Sequence, residues 1–179
     1  EDTSYMFITG PDVVKTVTHE DVSFEELGGA DIHAGTSGVA HFVHDSEPQC
    51  LAAIRELVGF LPSNNLDPAP VLPTTDPEDR RDESLLDVIP ANAAQPYDMH
   101  DLIQVVVDDG AFLEVHQYFA QNIICGFARL GGRSVGIVAN QPKWKGGVLY
   151  DDSADKAARF VWLCDAFSIP LLFLADVPG

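Results

Sequence analysis

The chain has 179 residues, 46 % of them hydrophobic, enough apolar material for a real core in one domain or in a two-lobed piece of something larger. Twenty-eight Asp and Glu against ten Lys and Arg leave a formal net charge of −18, which excludes nucleic acid as a partner because a phosphate backbone would be repelled. The longest apolar runs, Ile169–Val177 and Val135–Ala139, fall far short of the roughly 20 residues that span a bilayer, so no membrane partner is expected.

In chain order, Glu1-Asp2-Thr3-Ser4 shows neither the basic region nor the apolar block of a signal peptide, and no Met precedes it. The chain is therefore expected to begin inside a longer protein. Gly10-Pro11 ahead of Asp12, Val13, Val14 and Val17 predicts a helix start, since proline at the first helical position loses no hydrogen bond. Ser23 and Glu26 match a capping box, and Gly28-Gly29 supplies the freedom that ends such a turn. Gly38–Val43 reads as a strand. His41 and His44, three apart on it, would face opposite sides, which argues for hydrogen-bonded or solvent-facing histidines over a metal site. Ser46 with Gln49 opens a helix whose Leu51, Ile54, Leu57, Val58 and Leu61 are predicted to pack against a sheet or another helix.

From Pro62 to Pro96 the character changes. Seven of the twelve prolines lie there with the acidic cluster Asp76, Glu78, Asp79, Asp82 and Glu83, a composition that predicts a linker between two lobes. Asp98 can then cap a helix with Leu102, Ile103, Val106 and Val107 inward, ending at Asp108-Asp109-Gly110. Phe112–Val115 is strand-like. Ile123–Leu130 and Arg133–Ala139, joined by Gly131-Gly132, predict a hairpin. A helix capped by Asp152 or Ser153 follows, with Ala157, Phe160, Val161 and Cys164 as its buried stripe and Trp162 also assigned to the core. Pro170 stops it before the apolar strand Leu171–Ala175. Strand, helix and apolar strand make a β-α-β unit with its two strands parallel.

In such sheets ligands sit outside the carboxyl ends of the strands, which brings Asn140-Gln141-Pro142 and Asp176-Val177-Pro178-Gly179 to one rim. Signatures of acid-base or nucleophilic catalysis are absent: no Gly-x-Ser-x-Gly elbow, no Walker loop, no Gly-x-Gly-x-x-Gly and no His-Glu-x-x-His. Cys50, Cys125 and Cys164 form no Cys-x-x-Cys pair and are expected as reduced thiols in the core, with no metal in this segment. What remains at the rim is Asn140, Gln141, Pro142, Gly146, Gly147, Pro178 and Gly179, groups suited to close backbone approach and electrostatic stabilisation. Lys143-Trp144-Lys145 beside them is either an exposed loop with one aromatic anchor or a surface for a phosphorylated cofactor.

Eight ordered blocks carry a family resemblance: Phe7–Val13, Glu26–Ala30, Thr36–Gly38, Phe60–Asn65, Pro96–His100, Gly136–Pro142, Ser153–Phe160 and Asp176–Gly179. They resemble the carboxyltransferase (β) subunit of biotin-dependent acyl-CoA carboxylases of the propionyl-CoA carboxylase type. The resemblance implies an α/β, crotonase-like fold of β-β-α superhelical lobes. It divides the chain into the end of an amino-terminal, acyl-CoA-side lobe (1–61), the linker (62–96) and the start of a carboxyl-terminal, biotin-side lobe (97–179). It further implies carboxyl transfer from carboxybiotin to the α-carbon of a short-chain acyl-CoA such as propionyl-CoA or acetyl-CoA. Biotin would ride on a carrier subunit; biotin carboxylase and a hexamer of like subunits are the implied partners. The implied location is the cytoplasm, or the mitochondrial matrix in a eukaryote. Both backbone oxyanion loops of the family fall outside residues 1–179, so no catalytic residue is assigned here and the segment alone is expected to be inactive. Asn140, Gln141, Pro142, Gly146, Gly147, Pro178 and Gly179 are expected to line the biotin-side pocket. Lys143-Trp144-Lys145, Val148-Leu149-Tyr150 and His19 depart from the family pattern, which leaves acyl specificity open. A malonyl-type CoA decarboxylase or transcarboxylase subunit and a non-catalytic interaction fragment are the alternatives.

Overall fold

A four-stranded sheet organises the second half of the chain. The structure is a computed structural model describing residues 4–77, 79–92 and 95–178. Its helices and strands run α1 (Pro11–Thr18), α2 (Phe24–Gly28), α3 (Glu47–Phe60), α4 (Leu85–Val88), α5 (Met99–Val106), β1 (Leu113–Val115), β2 (Ile123–Leu130), β3 (Arg133–Asn140), α6 (Asp151–Ala166) and β4 (Leu171–Leu174). Contacts divide the chain into two compact units, one of residues up to Ala53 with His116–Phe119, the other of Ile54–Val115 with residues from Ala120 onward.

In the second unit β2 and β3 pair antiparallel from Ile123 opposite Asn140 to Leu130 opposite Arg133. Gly131 and Gly132, at φ +58° and +76°, supply the two left-handed residues that a tight two-residue hairpin demands. Asp108 holds this turn, its carboxylate accepting the Gly131 and Gly132 N–H groups at 3.0 and 2.6 Å. The order is β1-β2-β3-β4, with β4 parallel to β3 after the α6 crossover. Both faces are covered. On one, Met99, Ile103 and Val107 meet Ile124, Ala128, Val135, Ile137 and Ala139. On the other, Phe127 lies between Phe60 and Phe160 at ring separations of 5.7 and 5.0 Å. Covering on both sides explains why these strands read as unbroken apolar runs.

The proline-rich stretch contains one short helix, α4, among its described residues, and part of it docks. Val71 bridges to Arg133, and Leu72 N–H donates to the Gly132 carbonyl at 2.9 Å. Arg80 Nη2 donates to the carbonyls of Val105, Val106 and Val107 at 2.7, 3.1 and 3.3 Å, satisfying acceptors that the end of α5 leaves open. Glu78 lies outside the described residues.

In the first unit the Ser23–Glu26 capping box forms as the sequence predicts, with Glu26 N–H donating to Ser23 Oγ and Ser23 N–H to Glu26 Oε2. Other expectations are corrected. Gly38–Val43 is not a strand: Gly38 turns left-handed at φ +62°, and no described strand pairs with the segment. The apolar stripe of α3, a helix that passes into the second unit after Ala53, is largely exposed, with Leu51, Ile54 and Val58 at 44, 50 and 60 % and only Phe60 buried. Trp162, expected in the core, is 71 % exposed, because α6 turns Ser153, Lys156, Phe160 and Cys164 inward instead. Cys50 is exposed, whereas Cys125 and Cys164 are buried free thiols. Helix α6 is capped at Tyr150, two or three residues earlier than expected, and Ser153 acts from inside its first turn, its Oγ accepting the Tyr150 N–H at 2.7 Å.

Candidate functional site

The chain leaves β3 at Asn140 and doubles back at once, so the rim at the carboxyl end of this strand is built by what holds that reversal. Asn140 is buried and donates through Nδ2 to the Gly147 carbonyl at 3.0 Å, closing the loop across its mouth. Trp144 N–H donates to the Gln141 carbonyl and Gly147 N–H to the Trp144 carbonyl at 3.0 and 2.9 Å. From below, Asn122 accepts the Gln141 N–H at 3.0 Å and donates to the Val148 carbonyl at 2.7 Å.

Lys145, Gly146 and Gly147 are left-handed in succession, at φ 50°, 65° and 72°. The two glycines do different work. A Cβ on Gly146 would meet nothing within 4 Å, whereas one on Gly147 would come within 2.9 Å of the Asp176 carbonyl. Gly147 thus brings the loop against the segment that follows β4. Tyr97 Oη donates to Asp176 Oδ2 at 2.8 Å, and partial burial together with that bond pushes its phenol up to about 12. Pro142 is half-buried and Pro178 exposed; Gly179 lies outside the described residues. Asn140, Gly147 and the Asp176 end of the Asp176–Gly179 segment therefore lie side by side.

Gln141 is oriented inward. It is 1 % exposed, and its Oε1 accepts the Met99 and Lys143 N–H groups at 3.1 and 3.3 Å while Nε2 donates to Asp98 Oδ1 at 2.6 Å. Two N–H groups on Oε1 settle which end of the amide is which. Asp98 caps α5 and gathers charge as well: Oδ1 accepts the His100 N–H at 3.0 Å and lies 2.7 Å from His100 Nδ1, and Oδ2 receives Lys143 Nζ at 3.1 Å. His100 reaches with Nε2 to Glu114 Oε2 on β1, at 2.9 Å. The bond to Glu114 raises the imidazole to about 9 against a lesser opposing effect of burial, with Asp98 adding to the rise, so His100 is a cation at neutral pH. Burial opposes ionisation of Asp98, yet bonds from Gln141, from His100 and from Lys143 outweigh it and hold the carboxyl well below the usual range. With both His100 nitrogens protonated, the 3.2 Å approach of Gln141 Nε2 to Nδ1 is a meeting of two donors that converge on Asp98.

Lys143 is thus committed to Asp98, and Lys145 Nζ lies over the Tyr150 ring at 4.9 Å. Trp144 and Tyr150 are about half exposed. Burial pushes Cys125 up to about 12 and Cys164 to about 11, so neither is a thiolate nucleophile at neutral pH. Among the described residues no group of three or more His, Cys, Asp or Glu could hold a metal ion, and no helix is long and apolar enough to cross a membrane. The rim presents backbone, amide and small residues, the equipment of polar positioning rather than of a nucleophile-base pair. His100 and Glu114 escape a reading of the sequence. The capping position of Asp98 was the one local signal pointing toward them.

The carboxyl transferase domain model matches residues 1–179. The carboxyltransferase subunit of propionyl-CoA carboxylase from Haloferax mediterranei is 54 % identical over 179 residues, covering 99 % of this chain and 34 % of that protein. Methylmalonyl-CoA decarboxylase subunit alpha from Veillonella parvula is 52 % identical over 179 residues, covering 100 % of this chain and 35 % of that protein. Among solved structures, a transcarboxylase 12S hexamer with hydrolysed methylmalonyl-CoA bound aligns at a TM-score of 0.94 and 46 % identity, over 98 % of this chain and 34 % of that one. The chain spans about a third of the length of the curated relatives it matches. Its architecture is the crotonase-like α/β fold expected from the sequence.

Proposed function

We propose, from the premise that this chain belongs to the carboxyl transferase domain family, that it is part of a subunit moving a carboxyl group from carboxybiotin to the α-carbon of a short-chain acyl-CoA, propionyl-CoA or acetyl-CoA. The observation that carries this reading is the match along the whole chain, at about half identity, to a propionyl-CoA carboxylase carboxyltransferase subunit. Residues 1–61 would then close the acyl-CoA side, 62–96 would link, and 97–179 would begin the biotin side. A biotin carboxylase and biotin carrier subunit and a hexamer of like subunits complete the proposal, in the cytoplasm or, in a eukaryote, the mitochondrial matrix.

Biotin, when bound, supplies the carboxyl group. The residues that would line its pocket are Asn140, Gln141, Pro142, Gly146, Gly147, Pro178 and Gly179. The rim fits a neutral ureido ring: open space faces Gly146, and the charges nearby are spent on one another, Lys143 on Asp98 and His100 between two carboxylates. Asn140 and Gln141 serve the site by fixing the loop backbone, their side-chain amides being bonded to Gly147 and to the start of α5. Such pre-set dipoles favour the charge that builds during transfer over the ground state.

The test is incorporation of labelled bicarbonate into acyl-CoA by the full-length enzyme with its biotin carrier, biotin carboxylase and magnesium ATP, which together form the carboxybiotin donor, comparing propionyl-CoA with acetyl-CoA. Acid-stable label in either product supports the reading, and none in both overturns it. The decarboxylase relative supports the reverse direction as a second reading. Avidin-sensitive release of carbon dioxide from methylmalonyl-CoA, without net carboxylation, would favour it.

A further inference from the structure

His100 occupies a place that capping alone does not explain. Asp98 satisfies the open end of α5 by itself, accepting the His100 backbone N–H. The imidazole then ties that cap to the sheet, reaching Glu114 on β1, whose side chain is only 12 % exposed. Gln141 and Lys143 approach the same Asp98 from the rim loop, at 2.6 and 3.1 Å. Sheet, helix start and loop therefore meet at one carboxylate.

We propose that His100 is a positioning residue for the rim loop: by bridging Glu114 and Asp98 it fixes the carboxylate onto which Gln141 and Lys143 lock, and so sets where the backbone of 140–147 lies. This inference rests on the carboxyl transfer reading for its catalytic consequence. The charge balance supports it. Two carboxylates, Glu114 and Asp98, face two cations, His100 and Lys143, and the Phe112 ring, 6.4 Å from the imidazole, adds none. Lys143 reaches in from solvent with an exposed side chain, so it is the weaker counter-charge. Loss of His100 leaves Glu114 charged and nearly buried with no hydrogen-bonded cation, only the more remote charge of buried Lys156 on α6, and leaves Asp98 free to follow the helix rather than the sheet. Small displacements of a loop that lines the transfer site are costly, because positioning is sensitive to misplacements of about 1 Å.

The same bridge carries a pH dependence. His100 keeps its proton until about pH 9, and above that the bridge from Glu114 to Asp98 loses its positive centre. The experiment uses the full-length enzyme with its carrier and two variants, His100→Gln and Glu114→Gln, the second reaching the same bridge from the strand if the first fails to fold. Hydrogen exchange at Gln141, Trp144, Gly147 and Val148, corrected for intrinsic rate, is followed from about pH 7 to about pH 10 together with transfer kinetics. In the wild type, protection should fall as pH rises through about 9. In the variants it should already be low at neutral pH, with kcat/KM toward the carboxybiotin donor reduced about tenfold and the KM for acyl-CoA unchanged. Exchange and pH profiles identical to wild type in both variants would overturn the proposal. A wild type that transfers no carboxyl group overturns the functional reading alone, because the exchange data still decide whether His100 holds the loop.

Discussion

Helices α3 and α6 carry the same kind of apolar repeat and meet opposite fates. In α6, Phe160 and Cys164 are buried against β2 and β3, and Gly136 leaves so little room that a Cβ there would lie 2.7 Å from Cys164 Sγ. In α3, Leu51, Ile54 and Val58 stay exposed through most of the helix until Phe60 stacks on Phe127. The difference teaches that periodicity states which face can be buried, while burial itself requires a second layer. The second unit owns one in its sheet. Helix α3 passes from the first unit into the second after Ala53, and only its last residue, Phe60, is buried, against that sheet; among the described residues the first unit has no strand.

Truncation should break the two regions unequally. Phe127→Ala removes a fully buried ring between two others and should cost about 3–5 kcal/mol, whereas Ile54→Ala, on the exposed stripe, should stay within about 0.5 kcal/mol; denaturant unfolding of both variants checks this. Overpacking comes next. Gly136→Val should cost about 1–3 kcal/mol through collision with Cys164 and Phe160, while Gly146→Ala, which meets open space, should pay only the roughly 1 kcal/mol of a left-handed backbone, and thermal unfolding separates the two. Within the first unit, whose stability rests on local bonds, Ser23→Ala should cost about 1 kcal/mol by opening the capping box, read as faster exchange at Glu26.

The smallest effect sharpens the comparison by pH. His100 binds its proton more tightly folded than unfolded, so its contribution is complete below about pH 6.5 and is lost as pH rises to about 9. Asp98 behaves oppositely, contributing above the ordinary aspartate range and losing its contribution as acid protonates it. With 32 % of the His100 side chain exposed, solvent screening keeps the alkaline loss modest. A wild-type melting temperature that declines between these pH values, beside a His100→Gln variant that does not, is the expected result.

What was legible in the sequence follows this division. The hairpin at Gly131-Gly132, the Asp98 cap and the Ser23–Glu26 box could be read because each joins residues within a few positions of one another. The rim was legible as a location, since a β-α-β unit brings the ends of β3 and β4 to one side whatever their side chains do. Its wiring was not. Gln141 looked like a pocket amide, but its partners Met99 and Asp98 lie more than forty positions away. Nor does anything local mark Lys156 for burial, yet it is 2 % exposed and donates to the Ile123 carbonyl at 2.8 Å, with burial lowering its pKa.

By itself, then, the sequence determined the turns, caps and apolar periods, and through its ordered blocks the family. Those features rest on backbone geometry and on hydrogen bonds between near neighbours, which hold wherever the chain is placed. Tertiary structure decided which apolar face found a partner, that Arg80 of the proline-rich stretch closes the end of α5, and that Glu114 and His100 stand behind the rim. Each of those depends on groups distant in the chain being brought to contact, and the free energy that selects among such pairings comes from desolvation and charge compensation of the assembled whole.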